Sequence, residues 1–423
     1  MRLTGPDPPA GDGEKSDRDP GGTAEGVWWR TASLAVAVIA ITILPAFMTG
    51  ALAIRLGDDI GIDLAGIGGL YGVLFGTAAL ASAPTGRLVQ RLGWETGIRA
   101  AAAGTGVALI SMATFSDAWW AAWWPIAALF ALAGVAAAAS QGASNLALVR
   151  SVPPDRFGLL FGLKHSAVPI AAMLGGLAVP SIALTIGWRQ AFAIAAVLAF
   201  ATMLAVPLRR DRTGTAVVSR APKQRPTTPV STLAALAVAA ALGHAGIDAL
   251  GAFVVPYAAS VGVAEGLAGI LLTVGSLAGL VTRLAAGWMV DSRQHAGLAW
   301  IAALLLSGSL GFFVLAAGGR PFLVIGTLIA FAGGWGWAGL LTFVVVRANP
   351  ETAAVATGIA NTGKYIGAAL GPVIFGYLAE QASFVTAWTA ACVVLLAGGV
   401  LMGAIRLTPA GREMAAPPQK HAP

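Results

Sequence analysis

The sequence predicts an all-α membrane protein with about twelve transmembrane helices, because it is rich in apolar residues, poor in charge and divided into long apolar runs. Of its 423 residues, 57% are hydrophobic and 11% are charged, whereas charged residues make up about 25% of an average soluble domain. So few charges cannot cover the surface of a soluble protein, and lipid takes over that role. The runs lack the alternating pattern of barrel strands, so helices are expected to pair the backbone amides inside the membrane.

Twelve apolar runs follow one another from Trp28 onward, separated by short polar segments. Each is close to the ~20 residues that a helix needs to cross a bilayer. The predicted spans are 30–54, 64–85, 97–116, 119–146, 158–184, 188–207, 231–258, 265–290, 296–317, 321–346, 354–379 and 384–405.

The glycine content, the single cysteine and the net charge bear on helix packing, disulfides and nucleic-acid binding, respectively. The 55 glycines suit membrane helices that approach one another closely through small residues. Cys392 is the single cysteine, which excludes an intrachain disulfide. The net charge of +7 predicts no nucleic-acid partner, because the sequence offers no folded basic face. The positive-inside bias of membrane proteins accounts for that charge instead.

Basic residues predict the orientation of the helices. With an even number of spans and a cytoplasmic N-terminus, thirteen Lys and Arg residues fall in cytoplasmic connections, against Arg55, Arg189 and Arg320 on the other side. Because insertion resists the translocation of Lys and Arg, we expect both termini to lie in the cytoplasm and the protein to be integral to the cytoplasmic membrane. The thirteen residues are Arg87, Arg91, Arg99, Arg150, Arg156, Arg209, Arg210, Arg212, Arg220, Lys223, Arg225, Arg293 and Arg347.

Five carboxylates and four tryptophans then fall at the outer surface. The tryptophans begin the fourth span, where they are typical of an interfacial aromatic belt, with an aromatic ligand site as the alternative. The carboxylates are Asp58, Asp59, Asp117, Glu265 and Glu380, and the tryptophans are Trp119, Trp120, Trp123 and Trp124.

A weak internal repeat predicts two pseudo-symmetric halves of six spans. Gly86-Arg-Leu-Val-Gln90-Arg91-Leu-Gly93 has a counterpart in Gly287-Trp-Met-Val-Asp291-Ser-Arg293, 201 residues later. The segment from Gly162 similarly matches the segment from Gly358, 196 residues later. The predicted divisions are a polar, disordered tail at 1–27, a half at 28–207, a linker rich in Arg, Pro and Thr at 208–229, a half at 230–406 and a tail at 407–423.

The repeated turn resembles the loop signature of the major facilitator superfamily, which lies between spans two and three and again between spans eight and nine. In that family the glycine, here Gly86 or Gly287, allows two helices to pack closely. The aspartate of the signature caps a helix N-terminus and pairs with a basic residue, which latches the outward-facing state. Asp291 keeps this carboxylate, whereas Gln90 stands in its place in the first copy. The alternative is a pair of tight hairpins without a gating role.

The resemblance implies a secondary carrier that moves a small-molecule substrate across the lipid bilayer by rocker-switch alternating access. The site would lie between the two halves near mid-bilayer, but the fold does not specify the substrate. The sequence contains no Walker loop, no zinc-type His/Cys cluster and no nucleophile elbow. We therefore expect no enzyme activity, no cofactor and no metal.

Charged residues inside the spans are the first candidates for substrate binding, because they are costly in a membrane and usually functional. Arg283 lies eight residues before Asp291, or about 12 Å along the helix, and its planar fork can hold a carboxylate. The alternative is packing against Asp291 or backbone carbonyls. Lys364 lies deep in the eleventh span and needs an anion there, either Asp248 or a ligand. This Arg and Lys are similar to those of the oxalate/formate antiporter and monocarboxylate transporter branches, where paired cations bind an organic carboxylate.

Other polar residues are expected to complete the ligand shell. Lys164 lies in the repeat-related part of the fifth span and either lines the cavity or extends to the cytoplasmic surface. His165 aligns with Asn361 in the repeat, and Tyr365 follows Lys364. These residues predict a polar shell, with helix packing as the alternative for Tyr365.

His244 and Asp248 are the candidates for proton coupling. They are four residues apart in the seventh span and share a helix face, so a proton could move between them or onto the substrate. The alternative is a hydrogen-bonded pair that steadies a helix kinked near Pro256.

Together, Arg283 and Lys364 favour a proton-coupled carrier for a small organic anion such as a mono- or dicarboxylate. One alternative is efflux of a drug or hydrophobic cation, which would rely on Asp248 as the acidic group. A second alternative is a non-transporting membrane sensor with the same fold. Against the sensor, we expect no cytoplasmic domain within the chain, because the longest internal polar stretch is the 208–229 linker.

Overall fold

The computed structural model describes residues 21–114, 123–151, 162–207, 226–293 and 297–415, and every regular element in these ranges is helical. The N-terminal half contains α1 (Gly21–Ala51), α2 (Ala53–Ile60), α3 (Leu64–Leu92), α4 (Trp94–Thr114), α5 (Trp123–Ser151), a helical turn at 162–165, α6 (Ala167–Ala178) with a π-helical end (Val179–Ala183), and α7 (Trp188–Ala205). The C-terminal half contains α8 (Val230–Ser260), α9 (Glu265–Arg293), α10 (Leu298–Ala316), α11 (Arg320–Gly336), α12 (Ala338–Ala348), α13 (Ala353–Gln381), α14 (Phe384–Leu407) and α15 (Pro409–Ala415).

Long apolar helices confirm the predicted all-α membrane class. Within the described ranges, eleven helices are long and apolar enough to cross a membrane. The remaining predicted span, 354–379, corresponds to α13, which is 29 residues long. Asn361, Lys364 and Glu380 lower the hydropathy of α13. Helix α13 is therefore long enough to span a membrane and also carries candidate site residues.

Several boundaries differ from the expected ones. Helix α1 begins at Gly21, so the expected tail at 1–27 includes the start of a helix, while residues 1–20 lie outside the described ranges. The tenth predicted span breaks at Trp337 between α11 and α12, within a Gly-rich run that weakens helix formation. A short helix, α15, occupies part of the expected tail at 407–423. Most of the linker at 208–229, together with Asp117, Trp119 and Trp120, lies outside the described residues.

A row of glycines allows the backbone of α13 to contact the backbone of α8. Gly363, Gly367 and Gly371 recur every four residues and so share one face of the helix. A Cβ at any of them would overlap the backbone of α8, so the two backbones touch through small residues, as is common in membrane helices. This contact fixes the rotation of α13 and hence the direction of its cavity-lining side chains. The α8 partners are Ala237, Ala241 and Ala245.

The two halves meet closely at one end of the bundle, here called the Glu265 end, and the opposite end is called the Arg87 end. At the Glu265 end α3 packs on α13, where a Cβ at Gly68 would lie 3.0 Å from the carbonyl carbon of Pro372. Towards the Arg87 end, a Cβ at Gly76 or Gly86 would meet no neighbouring atom within 4 Å. Helices α3 and α13 therefore touch near the Glu265 end and diverge from there.

Candidate functional site

A cavity between the two halves collects side chains from the middle of the long helices. Its free volume, measured as the space open to the centre of a water-sized sphere, is about 50 Å³. Aromatic and aliphatic side chains supply most of the wall, and charged and polar groups are concentrated on a few helices. The polar lining consists of Gln141, His165, His244, Asp248, Arg283, Lys364 and Tyr365, and Phe75 and Trp335 are among the apolar lining residues.

His244 and Asp248 form a buried pair on one face of α8. The distance from His244 Nδ1 to Asp248 Oδ2 is 3.0 Å, and the His244 ring makes a T-shaped contact with Trp337 at a centroid distance of 5.1 Å. Both members of the pair line the cavity, so a proton held there lies next to the space for a ligand. In the described part of the chain no cluster of three or more His, Cys, Asp or Glu residues is placed to hold a metal ion.

Arg283 is 3% exposed and reaches the cavity from α9. Its Nε donates to the carbonyl oxygen of Trp335 at 2.6 Å, and its Nη1 donates to the carbonyl oxygen of His165. Backbone carbonyls are thus its partners in this conformation, as one of the sequence interpretations allowed. The side chain of Asp291, the other partner considered, lies outside the described residues. Arg283 also links the halves, since His165 belongs to the N-terminal half.

Lys364 lines the cavity beside Tyr365. Its ammonium makes no hydrogen bond or ion pair with any residue that the structure describes. The charges of Arg283 and Asp248 lie close enough to act on it, yet Asp248 makes its close contact with His244. Lys364 therefore presents a cation to the cavity that Asp248 does not engage directly.

Lys164 and Asn361 do not line the cavity in this conformation. The Lys164 side chain is buried, and its Nζ donates to Oδ1 of Asn145 at 2.5 Å. Lys164 thus points into the N-terminal half rather than to the aqueous surface. The structure brings the other candidate residues together around one cavity.

Two polar residues of α5, Gln141 and Asn145, were not predicted from the sequence. Gln141 lines the cavity, and Asn145 accepts the hydrogen bond from Lys164. They are four residues apart, so they share a helix face, and they stand in an otherwise Ala-rich span. Uncharged polar residues at helical spacing were the available signal, whereas the sequence predictions started from charged groups and added polar residues only beside them or at repeat-related positions.

The first of the two repeated turns is well defined. Helix α3 ends at Leu92, and Gly93 follows with φ +90°, a conformation that favours glycine. The Gly93 N–H donates to the Val89 carbonyl at 2.9 Å. Gln90 and Arg91 lie exposed in the last turn of α3. In the second turn, Gly287 lines a small cleft with Arg283.

Sequence comparisons agree with this architecture. The family profile of the Major Facilitator Superfamily matches residues 31–316 and 236–423. An uncharacterized MFS-type transporter of Mycobacterium tuberculosis is 26% identical over 413 residues, which cover 94% of this chain and 88% of that protein. The uncharacterized transporter YycB of Bacillus subtilis is 27% identical over 270 residues, which cover 61% of this chain and 64% of that protein. The chain belongs to the Major Facilitator Superfamily and is a membrane transporter.

Proposed function

We propose that this transporter carries a small organic anion, such as a mono- or dicarboxylate, across the cytoplasmic membrane. The observation that supports this most directly is the Lys364 ammonium, which faces the cavity without a partner among the described residues. A buried charge costs several kcal/mol unless it is paired. An anionic ligand would supply that partner, and Arg283 offers further N–H donors in a planar fork.

The balance of charge around the cavity also favours an anion. Arg283 and Lys364 both line the cavity. Among the described residues, Asp248 is the one carboxylate in the lining, and it is bonded to His244. A cleft lined mainly by one sign of charge concentrates ligands of the opposite sign.

The cavity also has free space beside its charged lining. This space is about 50 Å³ when counted at the centres of water-sized spheres, so a small carboxylate could lie next to Arg283 and Lys364.

Proton coupling and alternating access complete the proposal. Asp248 and His244 are the groups proposed to exchange a proton, because they are hydrogen-bonded and lie at the cavity wall. With both termini in the cytoplasm, the packed Glu265 end faces outward and the present conformation opens towards the cytoplasm. In the rocker-switch cycle, the turns that carry Gln90 and Asp291 would then close the Arg87 end.

Efflux of a hydrophobic cation is the second candidate. The Asp248 carboxylate and the aromatic side chains of Phe75, Trp335 and Tyr365 in the lining favour it, because aromatic faces and a carboxylate both attract organic cations. This candidate leaves unexplained the Lys364 ammonium, which has no partner among the described residues.

Uptake into proteoliposomes tests the proposed function. Purified protein would be offered radiolabelled short mono- and dicarboxylates and, separately, a lipophilic cation, with and without an imposed pH gradient. We expect saturable carboxylate uptake by the wild type. Lys364→Gln should abolish this uptake. Arg406→Gln, at an exposed arginine in the last turn of α14, should leave it intact. Uptake of the lipophilic cation alone would replace the proposal with the second candidate.

A further inference from the structure

The carbonyl of His165 lacks a hydrogen-bond donor from its own helix. In a continuous helix its partner would be the N–H of the residue four positions later, which is Pro169. Proline has no N–H, and its ring also crowds the carbonyl four residues before it. The backbone stays in the right-handed helical region at Ser166, between the turn at 162–165 and α6, so the missing donor is a local effect of Pro169. Arg283 Nη1 donates to this His165 carbonyl from the other half.

The second carbonyl bound by Arg283 is unpaired for a different reason. Trp335 lies in the last turn of α11, which ends at Gly336, and the last four carbonyls of a helix have no intrahelical donor. Arg283 Nε fills this position at 2.6 Å. The guanidinium is thus held between one carbonyl exposed by Pro169 and one exposed by the break before α12.

We propose that Pro169 is a positioning residue for substrate binding, because the acceptor that it leaves open on His165 orients the Arg283 guanidinium at the cavity wall. A guanidinium carries five N–H donors, so two carbonyl bonds leave others for a carboxylate. Fixing a charged side chain beforehand removes part of the entropy cost of ligand binding. The inference rests on the proposed function, since it assigns Pro169 a role in the binding of the same anion.

Pro169→Ala tests this role, because alanine restores a backbone N–H at this position that pairs with the His165 carbonyl along the helix axis. Anion binding would be measured by calorimetry on purified full-length protein, with the carboxylate found active in the uptake assay as the probe. We expect binding about tenfold weaker, the effect of one hydrogen bond to a charged group. Pro84→Ala in α3 is the matched control and should leave the affinity unchanged, because among the described residues no guanidinium donates to the carbonyl of Leu80, four residues before it.

A double-mutant cycle separates positioning from a general effect on helix shape. Arg283→Lys weakens anion binding by itself. In that background, Pro169→Ala should lower the affinity by less than a further twofold, because the planar group that Pro169 positions is absent. An equal loss in both backgrounds would show that Pro169 only shapes the helix. Tighter binding by Pro169→Ala would show that the carbonyl competes with the anion. Either result overturns the proposal.

The controls also distinguish this inference from the proposed function. If the wild-type protein binds no carboxylate, the function itself fails. If the wild type binds and Arg283→Lys weakens binding while Pro169→Ala has no effect, the positioning role alone fails. Pro169→Gly restores the same N–H in a more pliable backbone and replaces Pro169→Ala if the latter does not fold. Failure of both to fold would mark Pro169 as a folding residue and contradict the proposal.

Discussion

Arg55 and Glu265 form a two-pronged ion pair that joins the N-terminal half to the C-terminal half. Arg55 Nη2 lies 2.9 Å from Glu265 Oε2, and Arg55 Nε donates to both carboxylate oxygens at 3.1 and 2.9 Å. The hydrogen bond and the charge of Glu265 raise the pKa of Arg55 above its ordinary value. A second polar link at the same end runs from the Leu64 N–H to Glu380 at 3.1 Å. Polar contacts and close packing thus hold the Glu265 end closed.

Breaking this ion pair should open the Glu265 end more often. In Glu265→Gln, we expect a cysteine placed at Val373, in the α3–α13 contact, to react up to about fivefold faster with a membrane-impermeant thiol reagent. That is the scale of a partly exposed ion pair worth up to ~1 kcal/mol. The Cys392→Ser background removes the native cysteine. The effect should shrink at high salt, because Arg55 is 42% exposed.

The charge swap supplies the control for that experiment. Arg55→Glu combined with Glu265→Arg should return the labelling rate towards that of the wild type. Glu351→Gln, at an exposed carboxylate in the α12–α13 connection, should not alter it. Unchanged labelling in Glu265→Gln would show that close packing alone keeps this end shut.

The glycine row on α13 predicts a position-dependent loss of stability. Gly367→Leu should lower the thermal unfolding midpoint of detergent-purified protein by several degrees, because overpacking a tight contact costs about 1–3 kcal/mol. Gly358→Leu, on the same helix with no atom within 4 Å of its Cβ position, should change the midpoint little. Equal shifts for both variants would contradict the close contact between α8 and α13.

The sequence predicted the helices well and the polar contacts poorly, for a physical reason. Apolar runs must become helices in lipid because the backbone has no other partner there, so most spans were predicted closely. The break at Trp337 depends on where the glycines of α11 are packed, and the bond from Arg283 to His165 joins residues 118 positions apart. A proline four residues after His165 does signal an open carbonyl, but only the tertiary structure identifies Arg283 as the donor.

Asp248→Asn should separate coupling from transport. Exchange of substrate across the membrane needs no net proton movement, whereas accumulation against a gradient does. In proteoliposomes we expect the variant to lose accumulation driven by a pH gradient and to retain part of its exchange of internal for external substrate. If it still concentrates substrate, Asp248 is not the coupling residue, and His244, bonded to it at 3.0 Å, becomes the next to test.

The proposed orientation can be tested with topology reporters. An alkaline phosphatase fusion near Asp59 should be active, because the Glu265 end is expected to face outward. A green fluorescent protein fusion near Pro222, within the expected linker at 208–229, should fluoresce, because that segment is expected in the cytoplasm. Each position would carry both reporters in turn. Finding both positions on the same side would contradict the assignment from the basic residues.

The roles of Lys364 and Arg283 can be separated by the chemistry of their replacements. Arg283→Lys keeps a charge but loses the planar fork, so it should impair anion binding in spite of its similarity to the original residue. Lys364→Arg should be tolerated better if Lys364 acts as a point charge. Lys364→Gln should be worse than either, because it removes the cation that has no partner among the described residues.

The most direct measurement is the affinity of purified, correctly folded protein for a short carboxylate in the wild type, Lys364→Gln and Arg283→Gln, with Arg406→Gln as the matched surface control. Thermal unfolding of each variant would first show that the bundle is intact. We expect each cavity variant to bind at least tenfold more weakly, the loss of a hydrogen bond to a charged group, and the control to bind as the wild type does. Unchanged affinity in both folded cavity variants would contradict the organic-anion proposal and favour efflux of a hydrophobic cation.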